Sequence, residues 1–145
     1  MGGTRECNNL MRIFDIINSF VYWGKVIKSS EIPRFKLYIA EMLRRNRVMI
    51  VNGDDGMECL LCYFITDNIA KFSNRPMWST PEDSQEAKTI FIDKMVARKW
   101  DKSLREAVKT AINEKFPFVE EAHWLREPNN RHVIINIRRT DVIYS

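Results

Sequence analysis

Apolar residues recur along the chain at two spacings, and these divide it into helices and strands. Leu10, Ile13, Phe14, Ile17, Phe20 and Val21 fall on one face of a 3.6-residue repeat. They predict an amphipathic helix over residues 9–22, with Asn8 or Asn9 as its cap and Gly24 as its stop. Phe35, Ile39, Met42 and Leu43 repeat the pattern over residues 30–45, with Pro33 in the first turn. Residues 48–51 and 57–65 read as two strands of a hairpin. Asn52, Gly53, Asp54, Asp55 and Gly56 form the turn between them.

Periodicity fades over residues 66–87. Thr80, Pro81, Glu82 and Asp83 have the order of a cap, a first-turn proline and first-turn acids, which predicts a short helix. The stretch, with Asn74, Pro76 and Trp78, is either a surface loop around one packed tryptophan or the edge of a binding site. Residues 88–98 then form the strongest strand. Ile90, Phe91 and Ile92 are apolar on both faces, as in the middle of a sheet, before Asp93 and Lys94 interrupt. A basic turn of Arg98, Lys99, Trp100, Asp101 and Lys102 leads into a helix over 103–115, where Ser103 and Glu106 have capping-box spacing. Strands at 119–126 and 132–138 follow, joined by a turn at Glu127, Pro128, Asn129 and Asn130. This order predicts an α+β fold with a mixed, mostly antiparallel sheet flanked by helices. A helix crosses between the third and fourth strands, so that pair is expected to run parallel.

Composition fits this picture. The 145 residues suit one domain, read as 8–145 behind a flexible start at 1–7, and 45% hydrophobic content supports a packed core. No apolar run reaches the ~18 residues of a membrane span, and the first residues lack the apolar core of a secretory signal. Cys59 and Cys62 lie three apart in a strand and so point to opposite faces, reading as buried thiols of a reducing cytoplasm. No metal is expected: Cys7, His123 and His132 supply no matching ligand pair.

Charge adds one candidate surface. Residues 1–47 hold nine Lys or Arg against four Asp or Glu, while the remainder hold fourteen against fifteen. Arg34, Lys36, Arg44, Arg45 and Arg47 are either a solvated helix face or a contact for nucleic acid or an acidic partner. A second candidate is the N-terminus of the 103–115 helix. Backbone N–H groups, the Ser103 hydroxyl and the cations Arg98, Lys99 and Lys102 could meet a phosphate there. His123 and His132 lie on strands that pair across the Pro128 turn, where they could face each other.

The element order, the run from Phe91 to Arg98, the helix from Ser103, and the run from Lys115 into Arg126 together resemble the GNAT superfamily of acyl-CoA N-acyltransferases. More narrowly, they resemble the small, divergent GNAT-like proteins encoded by bacteriophages. The resemblance implies transfer of an acyl group from acetyl-CoA or another acyl-CoA to an amine. Met95 and Val96 would line the pantetheine arm, and Arg98, Lys102 and Ser103 would meet the phosphates. Asp93 would act as the general base. The turn departs from the family pattern in having no glycine between Arg98 and Lys115. The resemblance equally admits a catalytically lapsed protein that binds a host protein or nucleic acid in the host cytoplasm.

Overall fold

The computed structural model describes residues 29–52, 58–97, 101–126 and 131–137. The helix expected at 9–22, the flexible start, the expected 52–56 turn beyond Asn52, the cations Arg98 and Lys99, the turn expected at 127–130 and the tail from 138 lie outside the described residues. Five strands form one sheet in sequence order: β1 Val48–Asn52, β2 Glu58–Ile65, β3 Thr89–Ala97, β4 Glu121–Arg126 and β5 Arg131–Asn136. All neighbours are antiparallel except β3 and β4, which run parallel. The sheet is therefore mixed and mostly antiparallel, as the pattern predicts.

Three helices are described: α1 Ile32–Arg44, entered through a 3-10 turn at Ser29–Glu31, α2 Ile69–Ser73, and α3 Lys102–Lys115. Alternation along β2 separates the faces. Phe64 stacks on Phe72 of α2 at 4.7 Å, whereas Tyr63 meets Phe116 at the end of α3 at 5.6 Å. Leu60, Leu61, Tyr63 and Phe64 are all buried, so β2 is covered on both sides and lacks the polar face of a half-solvated strand. Leu104, Val108 and Ile112 are the buried stripe of α3; Phe35, Tyr38, Ile39 and Met42 are that of α1.

Helix α1 ends in a Schellman motif. Arg47 N–H donates to Met42 O at 2.7 Å and Asn46 N–H to Leu43 O at 2.9 Å, with Asn46 at φ 59°. Asparagine tolerates that left-handed conformation, and its side chain also accepts from Lys115 Nζ at 3.2 Å. The turn thus ties α1, β1 and the end of α3 together.

Two sequence expectations fail. Residues 80–83 are not helical. The Asp83 carboxylate, instead of sitting in a first turn, takes the Arg47 guanidinium at 2.7 Å and the Ile65 N–H at 2.7 Å. Arg45 donates to Pro81 O at 3.0 Å, so the segment is tied to the turn after α1 and to the end of β2. The helix of this region is α2, capped by Asn68, whose side chain accepts from Lys71 N–H at 3.2 Å. The capping box at Ser103 is also displaced. Asp101 is the N-cap of α3 and accepts from Leu104 N–H at 2.9 Å, so the helix starts at Lys102.

Candidate functional site

Strands β3 and β4 pair over only three positions, Thr89 with Glu121, Ile90 with Ala122 and Phe91 with His123. Both strands continue past that point. From Met95 to Ala97, β3 pairs with β2 alone; from Trp124 to Arg126, β4 pairs with β5 alone. The parallel strands form a fork whose apex is Phe91 and His123. Beyond it, the β3 backbone edge that faced β4 has no strand to bond among the described residues. Met95 and Val96 lie on this free stretch, Val96 buried and Met95 half-buried.

The fork begins beside a bulge. Cys62 opposes Lys94 while Tyr63 opposes Ile92, leaving Asp93 as the extra residue of β3. The bulge turns two successive side chains toward the α1 face. Asp93 is 6% exposed there and receives the Arg75 guanidinium in a two-pronged pair, Nη1 to Oδ1 at 2.9 Å and Nη2 to Oδ2 at 2.5 Å. The Tyr38 hydroxyl also donates to Oδ2. Arg75 is completed by the carbonyls of Phe72 at 2.9 Å and Ser79 at 3.0 Å. Lys94 Nζ lies 3.7 Å from Asp93 and 5.1 Å from the centre of the Trp78 ring. Trp78 itself packs edge-on against Phe35 and Tyr38. Burial, then the neighbouring Cys62 and Asp93, pushes the Tyr38 phenol well above its ordinary range. Both oxygens of Asp93 are therefore engaged.

Lys102 and Ser103 sit in the first turn of α3, with Lys102 exposed and Ser103 half-buried. The Asp101 carboxylate already occupies the Leu104 N–H, so a phosphate at this end would meet Lys102 beside a negative charge. The basic cluster is divided by its partners. Arg47 is 11% exposed and bonded to Asp83, Arg45 bonds Pro81 O, and Arg44 is 70% exposed while gripping Glu41. Arg34 is exposed and Lys36 half-buried on the same helix.

The two histidines do meet. His123 Nδ1 and His132 Nε2 are 2.8 Å apart, and His123 Nε2 lies 3.0 Å from Glu121 Oε1. His132 sits diagonally across from His123 in the β4–β5 ladder, in which His123 opposes Ile134 and Leu125 opposes His132. Sequence spacing pointed to the histidine pair but not to Glu121, whose two-residue offset from His123 puts both on one face of β4. Sequence reasoning also missed Tyr38, Arg75 and Trp78 around Asp93. They are 55, 18 and 15 positions away in sequence and reach it through tertiary packing.

Cys59 and Cys62 are free and buried, on opposite faces of β2. Burial pushes the Cys59 thiol up to about 12 and Cys62 higher still, so neither is a thiolate at neutral pH. Among the described residues no group of three or more His, Cys, Asp or Glu is placed to hold a metal ion. No described helix is long and apolar enough to cross a membrane. No protein-family model, curated protein or solved structure matches the chain.

Proposed function

We propose that this chain is a GNAT-like protein that binds acyl-CoA in the β3–β4 fork and transfers the acyl group to an amine. The observation that carries this reading is the early parting of two parallel strands, beside a bulge, with a capped helix crossing between them. Here the ladder stops at Phe91 while β3 runs on to Ala97. That leaves a row of backbone donors and acceptors suited to the two amides of a pantetheine arm. Met95 and Val96 would flank the arm. Lys102 and the positive end of the α3 dipole would face the phosphates at the mouth of the fork.

Asp93 serves this site by position. As the bulged residue, locked to Arg75 and Tyr38, it fixes where β3 bends away from β4. The direct test is an acetyl-CoA turnover assay that follows release of free thiol with a panel of primary amines. Amine-dependent release supports the reading. Binding of acetyl-CoA without release by any amine identifies a lapsed enzyme that keeps the cofactor site. Absence of binding at high micromolar acetyl-CoA overturns the proposal.

A further inference from the structure

His123 and His132 are the chain's two histidines. Nine positions apart, they lack the spacing of a metal-binding motif, and strand pairing is what brings them together. They sit diagonally across the β4–β5 ladder on one face of the sheet. His123 Nδ1 and His132 Nε2 approach to 2.8 Å, with ring centres 4.9 Å apart and ring planes tilted by 50°. The rings therefore meet nitrogen to nitrogen rather than face on face.

Glu121 completes the arrangement from behind. Its Oε1 lies 3.0 Å from His123 Nε2, the ring nitrogen turned away from His132. An ionised carboxylate only accepts, so Nε2 carries the proton and Nδ1 presents its lone pair toward His132. Carboxylate, imidazole and metal stand in this order wherever an outer carboxylate fixes the tautomer and orientation of a histidine ligand.

We infer that β4 and β5 carry an open site for a divalent transition-metal ion that prefers imidazole, copper or zinc, ligated by His123 Nδ1 and His132 Nε2. At metal–nitrogen distances of about 2.0–2.1 Å, nitrogens in neighbouring coordination positions stand ~2.9–3.4 Å apart. A small opening of the 2.8 Å gap meets that requirement. His132 is exposed, so its ring has room to turn about χ2. Exchange with water moves its ring proton from Nε2 to Nδ1 and frees the second lone pair. Two protein nitrogens are fewer than the three of a catalytic zinc centre or the four of a structural one, so water fills the remaining positions. The exposed side of His132 is the entry path. Bound there, the ion ties β5, the outermost described strand on this side, to β4. The site lies between β4 and β5 and is independent of the acyltransfer reading.

Copper(II) is the probe, because it binds nitrogen sites more tightly than zinc and is paramagnetic. Untagged wild type, His132→Gln and Glu121→Gln are titrated with Cu2+ and read by electron paramagnetic resonance, with pulsed detection of nitrogen couplings. Wild type is expected to take up one Cu2+ per chain, saturably at micromolar concentration, with two imidazole nitrogens bound. Since the chain has no other histidine, both couplings must come from this pair. Calorimetry with Zn2+ should give the same stoichiometry at lower affinity. His132→Gln, an exposed change, should lose the two-nitrogen signature. Glu121→Gln keeps an acceptor but not the charge, and should weaken binding about tenfold. No saturable binding by wild type, coordination by a single imidazole, or a wild-type signal in His132→Gln overturns the site. Wild-type affinity in Glu121→Gln overturns the part assigned to Glu121.

Discussion

Replacing Asp93 by Asn keeps the shape of the side chain and removes its charge. The Arg75 guanidinium, 8% exposed, would then keep only neutral acceptors: the new amide oxygen and the carbonyls of Phe72 and Ser79. Breaking a buried pair from one side costs about 3–5 kcal/mol, because the remaining charge stays desolvated. At this depth solvent screening recovers little of it. A domain of this kind has on the order of 5–15 kcal/mol of total stability, so the loss is about a fifth of it or more. With a urea m-value of about 2 kcal/mol/M, the midpoint should fall by roughly 2 M. Urea unfolding followed by tryptophan fluorescence reads this directly, since Trp78 packs on Tyr38 beside the pair. Arg75→Met in the Asp93→Asn background should recover part of the loss, giving a coupling of about 2–3 kcal/mol in a double-mutant cycle. A single Asp93→Asn variant within about 0.5 kcal/mol of wild type would refute the reasoning. Asp93 would then be a solvated carboxylate, available for catalysis rather than built into the bend of β3.

Other consequences are independent of that pair. Asn46→Ala puts a Cβ-bearing residue without asparagine's local tolerance at φ 59° and should cost about 1–2 kcal/mol by chemical denaturation, whereas Asn46→Gly should cost far less. Asp101→Asn keeps the α3 cap but removes the negative charge beside the proposed phosphate path, so calorimetry should show acetyl-CoA binding two- to fivefold tighter, about 0.4–1 kcal/mol. The Cys59 thiol is raised from 9.0 to about 12 by burial, so its contribution to stability is complete below pH 9 and is lost between pH 9 and 12 as the unfolded chain alone gives up the proton. Tyr38 and Tyr63 are raised by burial in the same sense, which steepens the fall above pH 10; denaturation midpoints against pH should decline through this window, with less decline in Cys59→Ala.

The strands were legible because their signals are local. Ile90, Phe91 and Ile92 announce a buried strand by themselves, and they are buried in the third of five strands. Pro33 and the Phe35–Ile39–Met42 spacing likewise mark α1. The capping of α3 was misread by two residues because Asp101 and Ser103 are both good caps, and only the backbone at φ −130°, ψ −179° shows which one leaves the helix. The segment at 80–83 misled for a different reason: its cap-like order is overridden by Arg47, a partner 36 positions away. The same limit hid the surroundings of Asp93. Its position in β3 was readable, but its engagement by Arg75 and Tyr38 arises from α1 and the 74–79 segment closing over the bulge. The histidine pair could be read from the turn between its strands, whereas Glu121 joins it only through its contact with His123 Nε2.

The central claim is that the fork between β3 and β4 holds acyl-CoA. Amide 1H–15N spectra recorded during a titration with acetyl-CoA test it residue by residue. The account predicts saturable shifts at micromolar ligand concentrated in residues 92–97 of β3, His123 at the apex, and the first turn of α3 from Lys102 to Leu104. A spectrum unchanged at high micromolar acetyl-CoA, or shifts confined to α1 and away from the fork, would contradict it.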